Sequence, residues 1–571
     1  MGYSGGAVHP RKLQITVDDR IHSVPFGTEV RALLPPIRRG SVDRPLAAIH
    51  NHRLVSLSYD LRGSGDLCWL TMADRTGWDV YRRTACLMMV EAARRLDPDL
   101  RLVLHQTHGD GLYHEVRRVG AERSEEIRPP EVRRLCKELE AGMRQLCRED
   151  LPIVVHRISV EEAREWMREQ GLDDKANLLR THWESSVRIV SCGGFADLFH
   201  AAMADSTGEV RSFRVMPYST GLLLRVPVRG SVEVRGPARV GQKLFAAHVE
   251  SRAWIRKLGV ANLGQLNALS VSGGVEDLIR VAEGVHEKQL GVIADELSRR
   301  RGRIRVVLVA GPSSSGKTTF VKRLDVQLRV NGLRPVALSV DNFFVARSRT
   351  PRDESGQLDF ECLEALDLKL FNHVLHDLLH YGQATVPRYD FHTGKPTARG
   401  SWTTLQLEPD EVLLIEGIHA LNPALTPAVP PPQKYKIYIS PLTQLSIDDH
   451  NRIFTSDTRL IRRITRDRRY RGYSAAQTIH RWPMVRRGEM KHIFPYREQA
   501  DALFNAALVY EHAVLRNYVE RYLLEVDEHD DASQEAYRLL GFLRRVVPVL
   551  PDAVPHNSLL REFIGDSAFH Y

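Results

Sequence analysis

The sequence predicts an α/β protein whose C-terminal half holds a parallel sheet flanked by helices, preceded by a small β domain and a mixed α+β region. Three observations carry this. Apolar strand patterns alternate with helical ones from residue 302 to about 525, and such alternation builds parallel sheets with helices on their faces. The segment GPSSSGKT at 311–318 joins one of these strands to one of these helices. Near the start, period-two alternation over residues 13–74 gives way to an apolar helical face from Thr76 onward.

Taken in order, LQITV and IHSVPF read as strands, EVRALLPPI as helical, and LAAIHNHRLVSLSYDL and DLCWLT as further strands, making residues 11–74 a first domain. Ala85, Leu87, Met88, Met89, Ala92 and Ala93 then share one helix face ahead of Asp97-Pro98 and open a second domain over 75–230. Residues 231–301 form a helical linker. Its segment VEDLIRVAEGVHEKQLGVIADEL repeats apolar residues near i, i+3, i+4 and i+7 and is expected to brace the domain that follows. Residues 302–525 make up the strand–helix domain, and 526–571 an extension with a helix near 536–546. At 571 residues the chain needs more than one core, because single cores stop growing near ~250–300 residues.

Composition excludes several classes. No run approaches the ~18 apolar residues of a membrane span, and the start lacks a secretory pattern, so a soluble cytoplasmic protein is expected. Six cysteines without a CxxC pair read as reduced thiols rather than a disulfide framework or zinc site. The net charge of +9 rests on 67 Arg and 13 Lys spread along the chain, which does not by itself indicate nucleic acid. Seven Arg between 459 and 471 form a denser cluster, either a solvated helix face or a functional one.

Residues 311–318 match GxxxxGK[ST] in full. Glycines there let backbone N–H groups face phosphate oxygens, and the helix N-terminus adds its partial positive charge. The candidate nucleotide-binding residues are therefore Gly311, Pro312, Ser313, Ser314, Ser315, Gly316, Lys317, Thr318 and Thr319, with Lys317 reaching the β/γ oxygens and the Thr318 hydroxyl a ligand for Mg²⁺. Glu416 ends the strand EVLLIE, where ligands gather in open α/β sheets, and is the second candidate for that ion; a solvated strand-end Glu is the bland alternative. Asp341 follows the strand PVALSV and is either a base for an attacking hydroxyl or a cap. ATP and Mg²⁺ are the expected cofactors.

A P-loop followed by SVDNFF, VPRYDFHTGKP, VLLIEGIHALNP and RLIRRITRDRRYRG resembles the uridine kinase and phosphoribulokinase family over residues 303–515. The chain is similar to long bacterial nucleoside kinases, which also end much like NSLLREFIG. The resemblance implies transfer of the γ-phosphoryl group of ATP to a nucleoside 5′-hydroxyl, with uridine first. By it Asp341 is the catalytic base, Arg463 and Arg466 are lid arginines, and Arg471 lies at the turn after them. Tyr389 and Phe391 match the aromatic positions that hold base and ribose, with His392 a further donor. Phe344 stands where a Tyr is usual, and Gly394 where pyrimidine kinases carry a base-reading His. Two alternatives stay open: a kinase of another small hydroxyl compound, and a tRNA-binding or regulatory protein whose P-loop senses nucleotide.

Residues 13–74 look like the β-grasp (TGS) module of threonyl-tRNA synthetases and 76–230 like their editing domain, through HGDGLYHEV and FADLFHAAMADSTG. That domain normally carries HxxxH and CxxxH. Those positions here hold Arg83, Leu87, Phe199 and Met203, none a metal ligand, so the resemblance implies a scaffold without editing chemistry that still offers RNA binding or regulation. His105, His108 and His114 flank a GDG turn, and neither they nor His182, Cys192 and His200 have ligand spacing.

Overall fold

The computed structural model describes residues 12–118, 129–237, 241–353, 356–390, 393–443 and 445–570. Strands β1 (Lys12–Val17), β2 (Arg20–Pro25), β3 (Ala47–His50), β4 (Arg53–Ser56) and β5 (Gly65–Leu70) form a sheet in the order β2-β1-β5-β3-β4. β1 and β5 run parallel and the other neighbours antiparallel. Leu13, Ile15 and Val17 are buried while Lys12 and Gln14 are exposed, the alternation of a sheet covered on one face. EVRALLPPI, expected to be helical, supplies one 3-10 turn at Val30–Leu33. Pro35 drives Leu34 to extended backbone, with φ −59° and ψ 132°, and the helix cannot continue.

Next come α1 (Arg75–Leu96), β6 (Leu100–His108), β7 (Gly111–Arg118), α2 (Pro129–Glu149), β8 (Ile153–Ser159), α3 (Val160–Glu169), α4 (Asp173–Leu178), β9 (Ser186–Cys192), β10 (Phe195–Leu198), β11 (Arg214–Tyr218) and β12 (Gly221–Arg225). The strands make two antiparallel sheets, β11-β12-β7-β6 and β10-β9-β8. His105 and His108 pack here among Tyr113, Phe245 and His248, with His105 on Glu115 at 2.9 Å, while the His114 ring meets the Leu112 carbonyl at 3.1 Å. Burial holds all three imidazoles well below their ordinary range, as expected for neutral core rings.

Three helices follow, α5 (Gln242–Leu258), α6 (Leu263–Ser272) and α7 (Val275–Arg299). The C-terminal half contains β13 (Val306–Ala310), α8 (Lys317–Val330), β14 (Pro335–Ser339), α9 (Leu368–Tyr381), β15 (Gln383–Val386), β16 (Tyr389–Asp390), β17 (Lys395–Pro396), β18 (Thr403–Gln406), β19 (Val412–Glu416) and β20 (Lys434–Ser440). After them run the hairpin β21 (Ser446–Asp448) and β22 (Asn451–Arg452), then α10 (Thr455–Tyr470), α11 (Ala475–His492), β23 (Ala502–Asn505), α12 (Glu511–Leu524), α13 (Ser533–Leu543) and α14 (Arg561–Ile564). The main sheet is parallel throughout, in the order β14-β19-β13-β20-β23.

β13 shows why this sheet needs helices on both faces. Val306, Leu308 and Ala310 point into one apolar cluster with Phe371, Val374 and Leu378 of α9. Val307 and Val309 point into another, with Phe320 and Leu324 of α8 and Leu290 and Leu297 of α7. α7 also braces α8 through polar contacts, Arg323 reaching Glu283 at 3.3 Å and Glu287 at 2.7 Å. A third cluster joins the halves, running from Met88 on α1 through Leu266 on α6 to Ile461 on α10 and Leu539 on α13.

The β21–β22 hairpin belongs to the C-terminal half but inserts into the N-terminal one. Asp448 accepts from Lys175 at 3.0 Å and pairs with His200 at 2.6 Å. His450 meets Asp197 at 2.7 Å, and the Leu104 N–H donates to the Asp449 carbonyl at 2.7 Å. Lys175 and Asp448 are fully buried, and the Asp448 charge depends on Lys175 and His200 of the other half for compensation.

Candidate active site

The first strand of the parallel sheet delivers the chain into a loop that side chains would obstruct. A Cβ on Gly311 would lie 2.2 Å from the Ile439 carbonyl oxygen, and Gly316, at φ +89°, packs under Leu559. Ser314 is also left-handed, with φ +59°. The loop closes over the N-terminus of α8, and Lys317 Nζ donates back to the carbonyls of Gly311 at 3.0 Å and Pro312 at 3.4 Å. The hydroxyls of Ser314 and Ser315 are buried without a hydrogen-bond partner among the described residues. A phosphate chain fits this cradle, because it supplies acceptors to donors that the fold leaves unused.

The cradle opens into a cavity of about 1050 Å³ lined by residues 313–318, Asp341, Glu416, Arg463, Arg466 and Arg471, with Phe344 and Tyr389 also lining it. Asp341 sits in the 3-10 turn after β14 and Glu416 at the end of β19, neighbouring strands of the sheet. Burial pushes the Asp341 carboxyl up, against the pull of Lys317, Arg471 and Arg466. Glu416, which accepts from Ser339 Oγ at 3.0 Å, is pushed up to about 7 by burial and by Asp341. Two carboxylates both pushed up by burial, with Asp341 adding to the effect on Glu416, line one cavity with Thr318 and suit a divalent cation. No cluster of three or more His, Cys, Asp or Glu able to hold a metal occurs among the described residues, but Mg²⁺ at a nucleotide takes most of its ligands from phosphate and water.

The arginine cluster divides into two groups. Arg459 and Arg462 are buried and structural: Arg459 pairs with Glu489 and donates to the Ser313 carbonyl at 2.9 Å, and Arg462 pairs with Glu511 at 2.6 Å. These contacts hold the P-loop from behind. Arg463, Arg466 and Arg471 face the cavity and converge on one carboxylate, Asp467, at 3.2, 2.8 and 3.7 Å. Arg463 also donates to Ser313 Oγ at 2.7 Å. Crowding by Arg466, then burial, pushes Arg471 down to about 10, while the three arginines hold Asp467 below its ordinary range.

On the acceptor side, Phe344 and Tyr389 stand with ring centroids 5.7 Å apart. Phe391 and His392 lie outside the described residues. At Gly394, φ +68°, a Cβ would lie 2.6 Å from Arg347 Cδ, so the arginine occupies the space that a larger residue would need. Arg347, Arg352 and Arg481 line the same cavity. Sequence reasoning passed over these, and also Asp467, Glu489 and Glu562; the acidic residues stand one per element, with no local pattern to mark them.

In the N-terminal half, Arg83, Leu87 and Met203 line a separate cavity of about 80 Å³. Phe199 lies instead under the Arg188 guanidinium, 4.7 Å from its ring centroid.

Residues 306–510 match the Phosphoribulokinase / Uridine kinase family. The N-terminal half matches threonine–tRNA ligases: 28% identity over 208 residues with that of Desulforamulus reducens, covering 36% of this chain and 31% of the relative. The match with the Acetivibrio thermocellus ligase is 26% over 206 residues, again 36% and 31%. The chain therefore spans about a third of the length of these relatives. It is also 37% identical over 132 residues to the inorganic pyrophosphatase TTM2 of Arabidopsis thaliana, covering 23% of this chain and 18% of that one. Among solved structures, a possible uridine kinase from Bacillus stearothermophilus aligns at 19% identity over 38% of this chain and 97% of its own, TM-score 0.26. The phosphoribulokinase of Rhodobacter spheroides aligns at 21% over 35% and 69%, TM-score 0.24.

Proposed function

We propose, from a C-terminal half that is a phosphoribulokinase/uridine kinase family domain joined to a threonine–tRNA ligase-like N-terminal half, that this protein transfers the γ-phosphoryl group of ATP to a nucleoside 5′-hydroxyl, uridine first. The observation that carries the reading is the meeting of Lys317, Asp341 and the lid arginines around one cavity. A nucleotide sensor has no use for a carboxylate placed as a base beside the phosphate cradle.

In this reading the P-loop N–H groups and Lys317 bind and orient the triphosphate. Asp341 takes the proton of the acceptor hydroxyl, and its raised affinity for protons suits that task. Arg463 and Arg466 leave Asp467 to meet charge developing on the transferring group, and Arg471 follows them. Thr318 and Glu416 would hold Mg²⁺, which supplies charge neutralisation at the phosphates when bound. Phe344 and Tyr389 present faces on which a base stacks, and Phe391 and His392 are candidates to complete that wall.

A second reading of the acceptor has its own support. Arg347, Arg352 and Arg481 make the acceptor side cationic, which suits a hydroxyl compound carrying a phosphate or carboxylate. The N-terminal half is proposed as a non-editing scaffold with RNA as a candidate partner. Release of ADP from ATP, measured with nucleosides, sugar phosphates and hydroxy acids, tests the whole: turnover with a nucleoside that falls at least about a hundredfold in both Lys317→Ala and Asp341→Asn supports it. ATP binding that survives in Asp341→Asn and weakens in Lys317→Ala separates the two roles, and turnover in Asp341→Asn at the parent rate removes Asp341 as base.

A further inference from the structure

The small cavity of the N-terminal half is closed by the inserted hairpin, and its charges do not balance. Five charged side chains line it besides His450: Asp79, Arg82, Arg83, Asp197 and Arg452. Both carboxylates are already engaged. Asp79 pairs with Arg82 at 3.1 Å, and Asp197 with Lys175 at 3.3 Å and His450 at 2.7 Å. Arg83 donates to the Ala202 carbonyl and Arg452 lies 4.5 Å from the Phe454 ring centroid, and among the described residues neither makes an ion pair. One of these guanidinium groups comes from α1 and the other from β22, so the two halves of the molecule each contribute a positive charge with no carboxylate in contact, Asp79 acting on both only from a distance.

Apart from Asn451 and Cys86 the remaining lining is apolar, with Leu87, Val90, Leu104, Leu112 and Met203. Such walls weaken solvent screening, and unpaired charge facing them is costly. Burial pushes Arg83 down to about 10 and Arg452 down to about 9, with Arg82 adding to the effect on both, yet both stay charged at neutral pH. Guanidinium forks match oxyanions in shape as well as in charge. At about 80 Å³ the space equals roughly half a dozen water-sized volumes, enough for a tetrahedral or planar oxyanion and too small for a nucleotide.

We propose that this cavity is a binding site for a small oxyanion, phosphate or carboxylate, held between Arg83 of α1 and Arg452 of the inserted hairpin. It is separate from the phosphate cradle of the P-loop and has none of its residues. The anion joins the two halves at a point three residues before α10, the helix that carries the lid arginines.

The test uses the full chain with its P-loop saturated by Mg²⁺ and a non-hydrolysable ATP analogue, and with Arg347, Arg352 and Arg481 of the acceptor side replaced by Gln in every protein compared, so that added anion reports on the small cavity. Calorimetric titrations with inorganic phosphate and, separately, with acetate at matched ionic strength are expected to give one site for at least one of them, weakened at least about tenfold in Arg83→Gln and in Arg452→Gln. Without anion both variants are expected to melt at or above the parent temperature, because each removes an unpaired charge, which distinguishes loss of the site from loss of the fold. Arg452→Lys, which keeps the charge and loses the fork, is expected to bind with intermediate affinity. No binding of either anion by the parent protein, or unchanged affinity in both Gln variants, overturns the proposal.

Discussion

The carboxylate of Glu562, on the short C-terminal helix α14, accepts from the Thr319 hydroxyl at 2.8 Å and from the Thr319 N–H at 3.3 Å. Thr319 lies in the first turn of α8, directly after the candidate Mg²⁺ ligand Thr318. The contact spans 243 residues of sequence, and with Leu559 against Gly316 it makes the C-terminal segment NSLLREFIG part of the wall of the phosphate cradle.

Glu562→Ala is therefore expected to raise the KM for ATP several-fold and to lower stability by about 1–2 kcal/mol, the scale of losing a charged acceptor at the Thr319 hydroxyl and N–H. Glu562→Gln keeps an acceptor oxygen and should stay within a few-fold of the parent. Steady-state kinetics with chemical denaturation check both; an Ala variant with unchanged KM and midpoint would leave the tail without a part in the cradle.

The pH dependence follows from Glu416. Its carboxyl is near 4.5 when unfolded and is pushed up to about 7 in the folded protein, so folding favours its protonated form. The stability this contributes is fully present below about pH 4.5 and is lost as pH rises through 7, at no more than roughly 1.4 kcal/mol per pH unit. Protein free of nucleotide and metal should thus gain stability from Glu416→Gln, and by a growing margin, as pH rises from about 5 to 8. Glu361, pushed up to about 7 by burial and by Glu489, titrates the same way in both proteins and cancels from the difference. Added Mg²⁺ should shrink the margin if Glu416 holds the ion. A difference that stays flat with pH would mean that Glu416 is ionised and solvated.

The strand and helix around the P-loop were legible because two local signals agree there: five consecutive apolar residues, all buried at β13, then glycines at the positions where the backbone turns back. The partition of the arginine cluster was not legible. Arg459 and Arg463 are the same residue type one helical turn apart, and what separates them is the partner across the gap: Glu489 on α11 for one and the open cavity for the other. Likewise nothing within EVRALLPPI except its prolines limits it to a single turn, and nothing in SIDDHNR announces that this hairpin leaves its own domain. Its ion pairs form with Lys175, Asp197 and His200, which local periodicity cannot connect to it.

The ligase-like half should not deacylate seryl-tRNA. Arg83, Leu87 and Met203 come together at one cavity, but they offer no metal ligand, and Phe199 is turned beneath Arg188. Cys86 lines the same space, and burial pushes its thiol up to about 11, which keeps it protonated and a poor nucleophile at neutral pH. Incubating the full chain with mischarged seryl-tRNA should give no deacylation above a no-protein control, and hydrolysis that Arg83→Gln abolishes would contradict this.

Acceptor choice turns on how the wall opposite the phosphates recognises its ligand. Phe344 and Tyr389 offer aromatic faces, and stacking discriminates weakly because every base has a π face. Arg347, lying where a side chain at position 394 would extend, adds a directed donor but one that many acceptors satisfy. Uridine and cytidine should therefore both be phosphorylated, with kcat/KM ratios among nucleosides of roughly tenfold to a hundredfold, well below the ~10⁴ of a pocket built around specific hydrogen bonds. Arg347→Ala distinguishes the two readings of the site. For a nucleoside held mainly by stacking, the loss in kcat/KM should stay below about tenfold, the scale of one exposed polar contact. A loss above about a hundredfold, seen with a phosphorylated or carboxylated hydroxyl compound that the parent protein prefers over every nucleoside, would assign Arg347 to an anionic group and replace uridine as the acceptor.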